Sequence, residues 1–273
     1  MFDAILGSKH PGIGVYLRAA RVALSPPSVV LRSRLRNGAI VEGPNRPGHG
    51  GRGVYLFGEL LEPELFHLQD LLRPGDVFFD VGANVGVFTI KAAREVGAEG
   101  TVVAIEPSVE TAHQLQENVR LNGFKNVRVR VLAAGSITST DTFYLNCAKP
   151  NSYSLLRVGD PESVSVLKVS LDDLCRWEQI DRLDYIKIDA EGAEAEVLAG
   201  AAESIRTYRP VIQVETTICP SAFPSGYQQF VIAGSPNALF IPEESRRICA
   251  MVTSLGWSDV SAQAPAEFLE AQA

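Results

Sequence analysis

Residues 76–89 read DVFFDVGANVGVFT. The run Val77 to Val81 is short and apolar, as a strand buried on both faces must be. It leads into Gly82, and a helix is expected over Val87–Val96. Asp80, Gly82, Ala83, Asn84, Gly86 and Thr89 therefore crowd one strand–turn–helix unit. Glycine opens left-handed backbone conformations and lets a ligand approach the main chain. The helix start offers unpaired N–H donors. Ala83-Asn84 stands where a GxGxxG dinucleotide fingerprint needs its second glycine, and no GK[ST] closes the turn as a P-loop would. Alone, the turn is equally compatible with a purely structural role.

Working outward, Thr101 to Ile105 is a second strand, ending in Ile105-Glu106-Pro107, 24 residues after Gly82. An acid at that spacing can accept hydrogen bonds from both hydroxyls of a ribose; a solvated carboxylate at a strand end is the alternative. A helix is expected from Ser108 to about Leu121, stopped by Asn122-Gly123. Val127, Val129 and Val131 alternate with Arg128 and Arg130 as in an edge strand. Residues 142–145 and 164–169 are further strands, Tyr185–Ile188 a buried strand, Glu194–Arg206 a helix, and Pro210–Glu215 a strand. Pro242–Leu255 reads as a helix closed by Gly256. Strands alternating with helices imply an α/β fold with a mostly parallel central sheet covered on both faces.

Upstream, GELLEPELFHLQDLLRPG (58–75) reads as one helix, with Leu61, Leu65, Leu68 and Leu72 on one side and Pro74-Gly75 ending it. EGPNRPGHGGRG (42–53) holds five Gly and two Pro and reads as a loop. Before it, alternation at Val29, Leu31, Ser33 and Leu35 and the Asn37-Gly38 pair predict a β-hairpin. The expected organisation is an N-terminal extension and hairpin cap over 1–53 and one domain over 54–273. Cys219–Phe240, with three Pro and two Gly, fits no strand–helix pattern and is a candidate lid.

A second cluster follows the strand Tyr185–Ile188. Continued extension would turn Lys187, Asp189 and Glu191 to one side, with Glu215 ending the next strand. A carboxylate at the carboxyl end of a strand can position a ligand hydroxyl or accept its proton. Asp189 is the first candidate, Glu191 and Glu215 the next, and Lys187 can tune them. The same acids are hard oxygen ligands, so Mg²⁺ is a competing occupant. Glu191 can instead cap the helix expected at Ala193. Asp172 and Asp173 are read as helix starters, Asn151–Ser154 as a polar loop, His113 as exposed, and Trp177 and Trp257 as packing residues.

Composition limits the alternatives. Of 273 residues, 32 are acidic and 25 basic, for a net charge of −7, with 46% hydrophobic. This is a globular rather than a disordered composition, and its acidity argues against a general nucleic-acid partner. No apolar run approaches a membrane span. Met1–His10 shows no basic segment followed by an apolar one, so a cytoplasmic location is expected. Cys147, Cys175, Cys219 and Cys249 lack metal-site spacing.

Taken together, DVGANVGVFT, VVAIEP, YIKIDAEGAEAEVLAG and PVIQVE resemble the FkbM-type branch of class I S-adenosylmethionine-dependent methyltransferases, over roughly residues 54–257. The resemblance implies a Rossmann-like fold, S-adenosyl-L-methionine as cofactor, and O-methylation of a hydroxyl on a natural product or sugar. Position by position, Asp80, Gly82, Ala83, Asn84, Gly86 and Thr89 match the first motif, around the cofactor's methionine part. Glu106, followed by Pro107, matches the ribose-binding acid, and Ala133 and Ala134 match the region beside the adenine. A methyltransferase-like module without catalysis stays open. A dinucleotide oxidoreductase is disfavoured by the missing glycine, and a base-specific N-methyltransferase by Asp189-Ala-Glu-Gly standing in place of [DN]PP[YFW]. A homodimer is compatible with the sequence.

Overall fold

The computed structural model describes residues 13–47, 50–146, 152–154, 163–215 and 225–261. An eight-stranded sheet forms its centre. In chain order its strands are β3 (Val77–Val81), β4 (Thr101–Ile105), β5 (Val127–Arg130), β10 (Tyr185–Ile188), β11 (Val211–Glu215), β12 (Tyr227–Val231), β13 (Asn237–Pro242) and β14 (Ser258–Asp259). Their spatial order is β14-β12-β13-β11-β10-β3-β4-β5. The five strands from β11 to β5 are parallel, and β12, β13 and β14 pair antiparallel. Chain order reverses beside β3, between β10 and β4. At such a point the loops leaving neighbouring strands part, opening a crevice at their carboxyl ends.

The expected strands 77–81, 101–105 and 185–188 and the helix over Val87–Val96 (α4) appear with the expected bounds. The helix α5 is Val109–Leu121, with the Ser108 side chain accepting from the Thr111 N–H as its N-cap. β5 is an edge strand; Arg128 and Arg130 reach out from it to Glu178. The expected extra strands belong to a separate sheet. It contains β6 (Ala133–Ala134), β7 (Ser139–Asn146), β8 (Ser152–Ser154) and β9 (Ser163–Val169), in the order β6-β9-β7-β8. Ser152–Ser154 is thus a strand, not a polar loop; Asn151 lies outside the described residues.

Three helices depart from the expected pattern. The 58–75 helix is interrupted: Gly58–Leu61 is a 3₁₀ turn, Glu62 is extended, and α3 runs over Pro63–Leu71. Proline at the first helical position loses no hydrogen bond but prevents the preceding residue from being helical. The 194–206 helix is two, α7 (Glu194–Ala199) and α8 (Ala202–Tyr208). They part at Gly200, where a Cβ would lie 2.0 Å from the Gly135 carbonyl oxygen. Asp172 starts α6 (Leu171–Trp177) and also accepts from the backbone N–H groups of Glu203 and Ser204 in α8. The 242–255 region is the end of β13 followed by α9 (Arg246–Ser254). The described part of the candidate lid, residues 225–240, contains β12 and most of β13; residues 219–224 lie outside the described residues. Trp257 is buried, but Trp177 is exposed rather than packed.

The N-terminal part holds a helix the periodicity did not announce, α1 (Ile13–Leu24), then the expected hairpin of β1 (Val30–Arg34) and β2 (Ile40–Pro44). The Gly-rich run is a loop only in part: residues 45–47 are irregular, but Glu42–Pro44 belongs to β2 and Gly50–Phe57 forms α2. Its glycines permit contact between backbones, since a Cβ on Gly51 would meet the Gly43 Cα at 2.9 Å. α2 crosses the expected 53/54 boundary, and Leu35, Ala39, Val41 and Val54 share one core cluster with Leu65, Leu68, Phe78 and Ile90. The free edge of β2 is covered by side chains of α5. Asn118 accepts from the Glu42 N–H and donates to the Glu42 and Val85 carbonyls. Asn122 accepts from the Ile40 N–H and donates to the Ile40 carbonyl. One helical turn apart on α5, the two amides match alternate residues of β2 and satisfy its open edge.

Candidate functional site

The loop after β3 is held against two neighbouring strand ends. The N–H groups of Gly82 and Ala83 donate to the Ile105 carbonyl at the end of β4. On the other side, a Cβ on Gly82 would fall 1.8 Å from the Asp189 carbonyl oxygen, and Gly82 has φ +72°. Gly86 has φ +90° and leaves no room for a Cβ beside Leu115. Asn84 is also left-handed, at φ +52°; asparagine tolerates this conformation better than most residues. The loop therefore turns tightly over the carboxyl end of the sheet with little side-chain bulk.

Glu106 closes the loop from the β4 side. One carboxylate oxygen accepts from the Asn84 N–H at 2.9 Å and the other from the Ser108 N–H at 2.9 Å. Burial pushes its carboxyl up to about 7, against the pull of those two donors. Pro107 is half-buried beside it, while Ala133 and Ala134 are buried in β6, where they pair with Lys168 and Val169 of β9. Leu132 and Ala134 share a core cluster with Val103 and Ile105.

On the face of the sheet turned toward α3 and α4 lies a buried polar layer. Parallel register places Lys187 between Asp80 on β3 and Gln213 on β11. The Lys187 ammonium is 3.6 Å from Asp80 and 3.2 Å from Asp189, and it sits 5.2 Å from the Phe88 ring. Asp80 is fully buried; the Thr89 hydroxyl donates to one oxygen at 2.6 Å, and the other accepts no hydrogen bond. Burial raises the Asp80 carboxyl, opposed by Lys187 and Thr89. Burial alone would strip Lys187 of its proton, but Asp189, Asp80 and Glu62 outweigh it and hold the ammonium well above its usual range.

The expected Lys187–Asp189–Glu191 alternation stops early. β10 ends at Ile188, and Glu191 has φ +49°, so it leaves the extended line that would have aligned it with Lys187 and Asp189. Glu194, the first residue of α7, folds back to accept from the Ala190 and Gly192 N–H groups just before the helix. Glu215 ends β11 as expected, and its side chain lies outside the described residues. Among the described residues no three His, Cys, Asp or Glu are grouped to hold a metal ion. With Lys187 already against them, Asp80 and Asp189 do not fit a divalent cation such as Mg²⁺.

Sequence reading missed two carboxylates, Glu62 and Glu64. Glu64 is fully buried at the start of α3; one oxygen accepts from the Ser235 hydroxyl and the other accepts no hydrogen bond. Glu62 is half-buried; burial pushes its carboxyl up to about 7, with Lys187 pulling it down and Glu64, Asp189 and Asp80 pushing it further up. The available signal was Glu62-Pro63-Glu64 within an apolar run: proline there starts a helix, and an acid at position 64 falls on its apolar face. Elsewhere, a cavity of about 360 Å³ lined by Arg73, Arg182 and Arg209 opens beside Asp184 and Val211, at the opposite ends of the strands.

Residues 80–232, more than half of the chain, match the family model of the methyltransferase FkbM domain. The chain is 28% identical over 206 residues to the 31-O-demethyl-FK506 methyltransferase FkbM of Streptomyces tacrolimicus, covering 64% of this chain and 77% of that one. It is 27% identical over 152 residues to the hexuronic acid methyltransferase AglP of Haloferax volcanii, covering 53% and 60%. The crystal structure of methyltransferase FkbM from Methylobacillus flagellatus is similar with a TM-score of 0.45 and 19% identity, covering 69% of this chain and 52% of that one. The chain belongs to the FkbM methyltransferase family.

Proposed function

We propose that this protein is an S-adenosyl-L-methionine-dependent O-methyltransferase acting on a hydroxyl of a small molecule such as a natural product or sugar. The observation that carries the reading is the bridge from Glu106 to the Asn84 N–H across the Gly82–Gly86 turn. It puts a carboxylate with spare lone pairs beside a turn packed so closely on Asp189 and Leu115 that neither Gly82 nor Gly86 has room for a Cβ. Glu106 would accept from the ribose hydroxyls, with Pro107, Ala133 and Ala134 toward the adenine. Asp80, Gly82, Ala83, Asn84, Gly86 and Thr89 would surround the amino-acid part. The Asp80 oxygen that accepts no hydrogen bond, 3.6 Å from the Lys187 ammonium, is an acceptor in the expected region. When bound, the cofactor supplies an electrophilic methyl group. Lys187, Asp189, Glu191 and Glu215 would face the acceptor side. Two relatives support the oxygen acceptor by name, one an O-demethyl compound methyltransferase and one a hexuronic acid methyltransferase.

No helix among the described residues is long and apolar enough to cross a membrane. Calorimetry with S-adenosylhomocysteine tests the reading. Binding is expected, and Glu106→Ala should weaken it at least tenfold; no heat from the unmutated chain would sink the cofactor assignment. Label from methyl-tritiated cofactor appearing in an alcohol then separates an enzyme from a module that only binds.

A further inference from the structure

We propose that Glu62 is the catalytic base of this site, taking the proton that an acceptor hydroxyl loses as it is methylated. The inference rests on the O-methyltransferase reading above and names the residue that completes it.

Placement comes from α3. Its first turn is tied to the carboxyl end of the sheet, because Glu64 accepts from the Ser235 hydroxyl, that hydroxyl accepts from the Asn237 N–H, and Asn237 pairs in register with Glu215, the last residue of β11. Its last turn reaches the amino ends, where Leu71 lines a cavity with Asp184 and Val211. Nine helical residues span about 13 Å, close to the length of a five-residue strand, so α3 runs antiparallel to β3. The residue just before Pro63 must then stand over the strand ends that carry Asp80, Lys187 and Asp189. Glu62 holds that position, and its side chain does not cap the helix.

The other charged groups there are unsuited to accepting a proton. Lys187 is held protonated. Asp189 is more than half exposed and already within 3.2 Å of that ammonium. Asp80 and Glu64 are fully buried and hydrogen-bonded to Thr89 and Ser235. Glu62 is half-buried; its carbonyl accepts from the Phe66 N–H, while its carboxylate caps no helical N–H and stands in no ion pair among the described residues. Burial pushes its carboxyl up to about 7, against the pull of Lys187 and with Glu64 on α3, Asp189 after β10 and Asp80 on β3 adding to the rise, and a base in that range is best matched to neutral solution. In the step, an oxygen lone pair forms the C–O bond and the S–C bond breaks with its pair left on sulfur. The hydroxyl proton passes to the Glu62 carboxylate. The products are an ether and neutral S-adenosylhomocysteine.

The test uses the full chain, methyl-tritiated S-adenosylmethionine, and glucuronic acid and simple secondary alcohols as acceptors. Glu62→Gln should bind S-adenosylhomocysteine within about twofold of the parent, which also reports its folding. It should lower kcat by about 10²–10⁴-fold and abolish the fall of kcat on the acid side of pH 7. Glu62→Asp should recover part of the rate. Carboxyl ¹³C NMR of glutamate-labelled chain should show one resonance titrating near 7 that Glu62→Gln removes. A Glu62→Gln rate within threefold of the parent, an unchanged acid limb, or a Glu62 resonance titrating below 5 would overturn the proposal. A parent chain that binds S-adenosylhomocysteine yet methylates none of these alcohols would overturn the O-methylation reading, and the base with it.

Discussion

Gly82 and Asp189 are in backbone contact: the Cβ that Gly82 lacks would sit 1.8 Å from the Asp189 carbonyl oxygen. The turn after β3 and the turn after β10 therefore have one relative position. Any side chain at 82 must force them apart, and with them the two halves of the candidate site.

Gly82→Ala combines that clash with a left-handed conformation that costs alanine about 1 kcal/mol by itself. The total loss of stability should be about 2–4 kcal/mol, read by urea denaturation. S-adenosylhomocysteine affinity should drop more than it does for a Gly38→Ala control, whose Cβ meets nothing within 4 Å.

Lys187→Met leaves Asp80 buried with no cation against it. Breaking a buried pair from one side costs about 3–5 kcal/mol. Acid supplies the missing positive charge as a proton on Asp80. The deficit against the parent should therefore shrink as pH falls from 8 toward 5, whereas a lost-packing effect would be the same at each pH.

Asn118→Leu removes the donors and acceptor that hold Glu42 and Val85. Stranding the N–H and carbonyl groups of β2 should cost about 2–4 kcal/mol. Hydrogen exchange should quicken at Glu42 in particular, while the β3–β4 core stays protected. Uniform loss of protection would mean the cap does not open separately.

Burial pushes both Glu62 and Glu106 up to about 7 in the fold, from an ordinary glutamate value of 4.5. The folded state then holds more protons between those limits, so stability is greatest below about pH 4.5 for these two groups and declines as pH rises to 7. Glu106 alone accounts for about 3 kcal/mol. Glu106→Gln should flatten that part of the stability–pH curve; an equally steep curve would place the titration elsewhere. Ribose hydroxyls would favour its carboxylate, so S-adenosylhomocysteine should bind with proton release near pH 7, measurable by calorimetry in buffers of different ionisation enthalpy.

The sequence by itself determined the elements whose signals are local. β3, α4, β4 and β10 carry unbroken apolar runs or glycine-bounded turns, and such patterns survive without knowledge of neighbours. The same holds for the Gly82–Gly86 turn and Glu106, because their spacing is that of a single β–α–β unit. Where a short-range pattern had two physical causes, only tertiary contact decided. Glycines at 43 and 51 looked like a loop but allow two backbones to touch. Leucines at 61 and 65 looked like one helix, though Pro63 splits it. Extension through 191 looked natural until Glu191 turned left-handed. Most of all, the pairing of Lys187 with Asp80, 107 positions apart in the chain, and the arrival of Glu62 over them depend on strand register and on α3 crossing the sheet. Neither leaves a mark on nearby residues, since the forces that create them act only once distant segments have packed and excluded water.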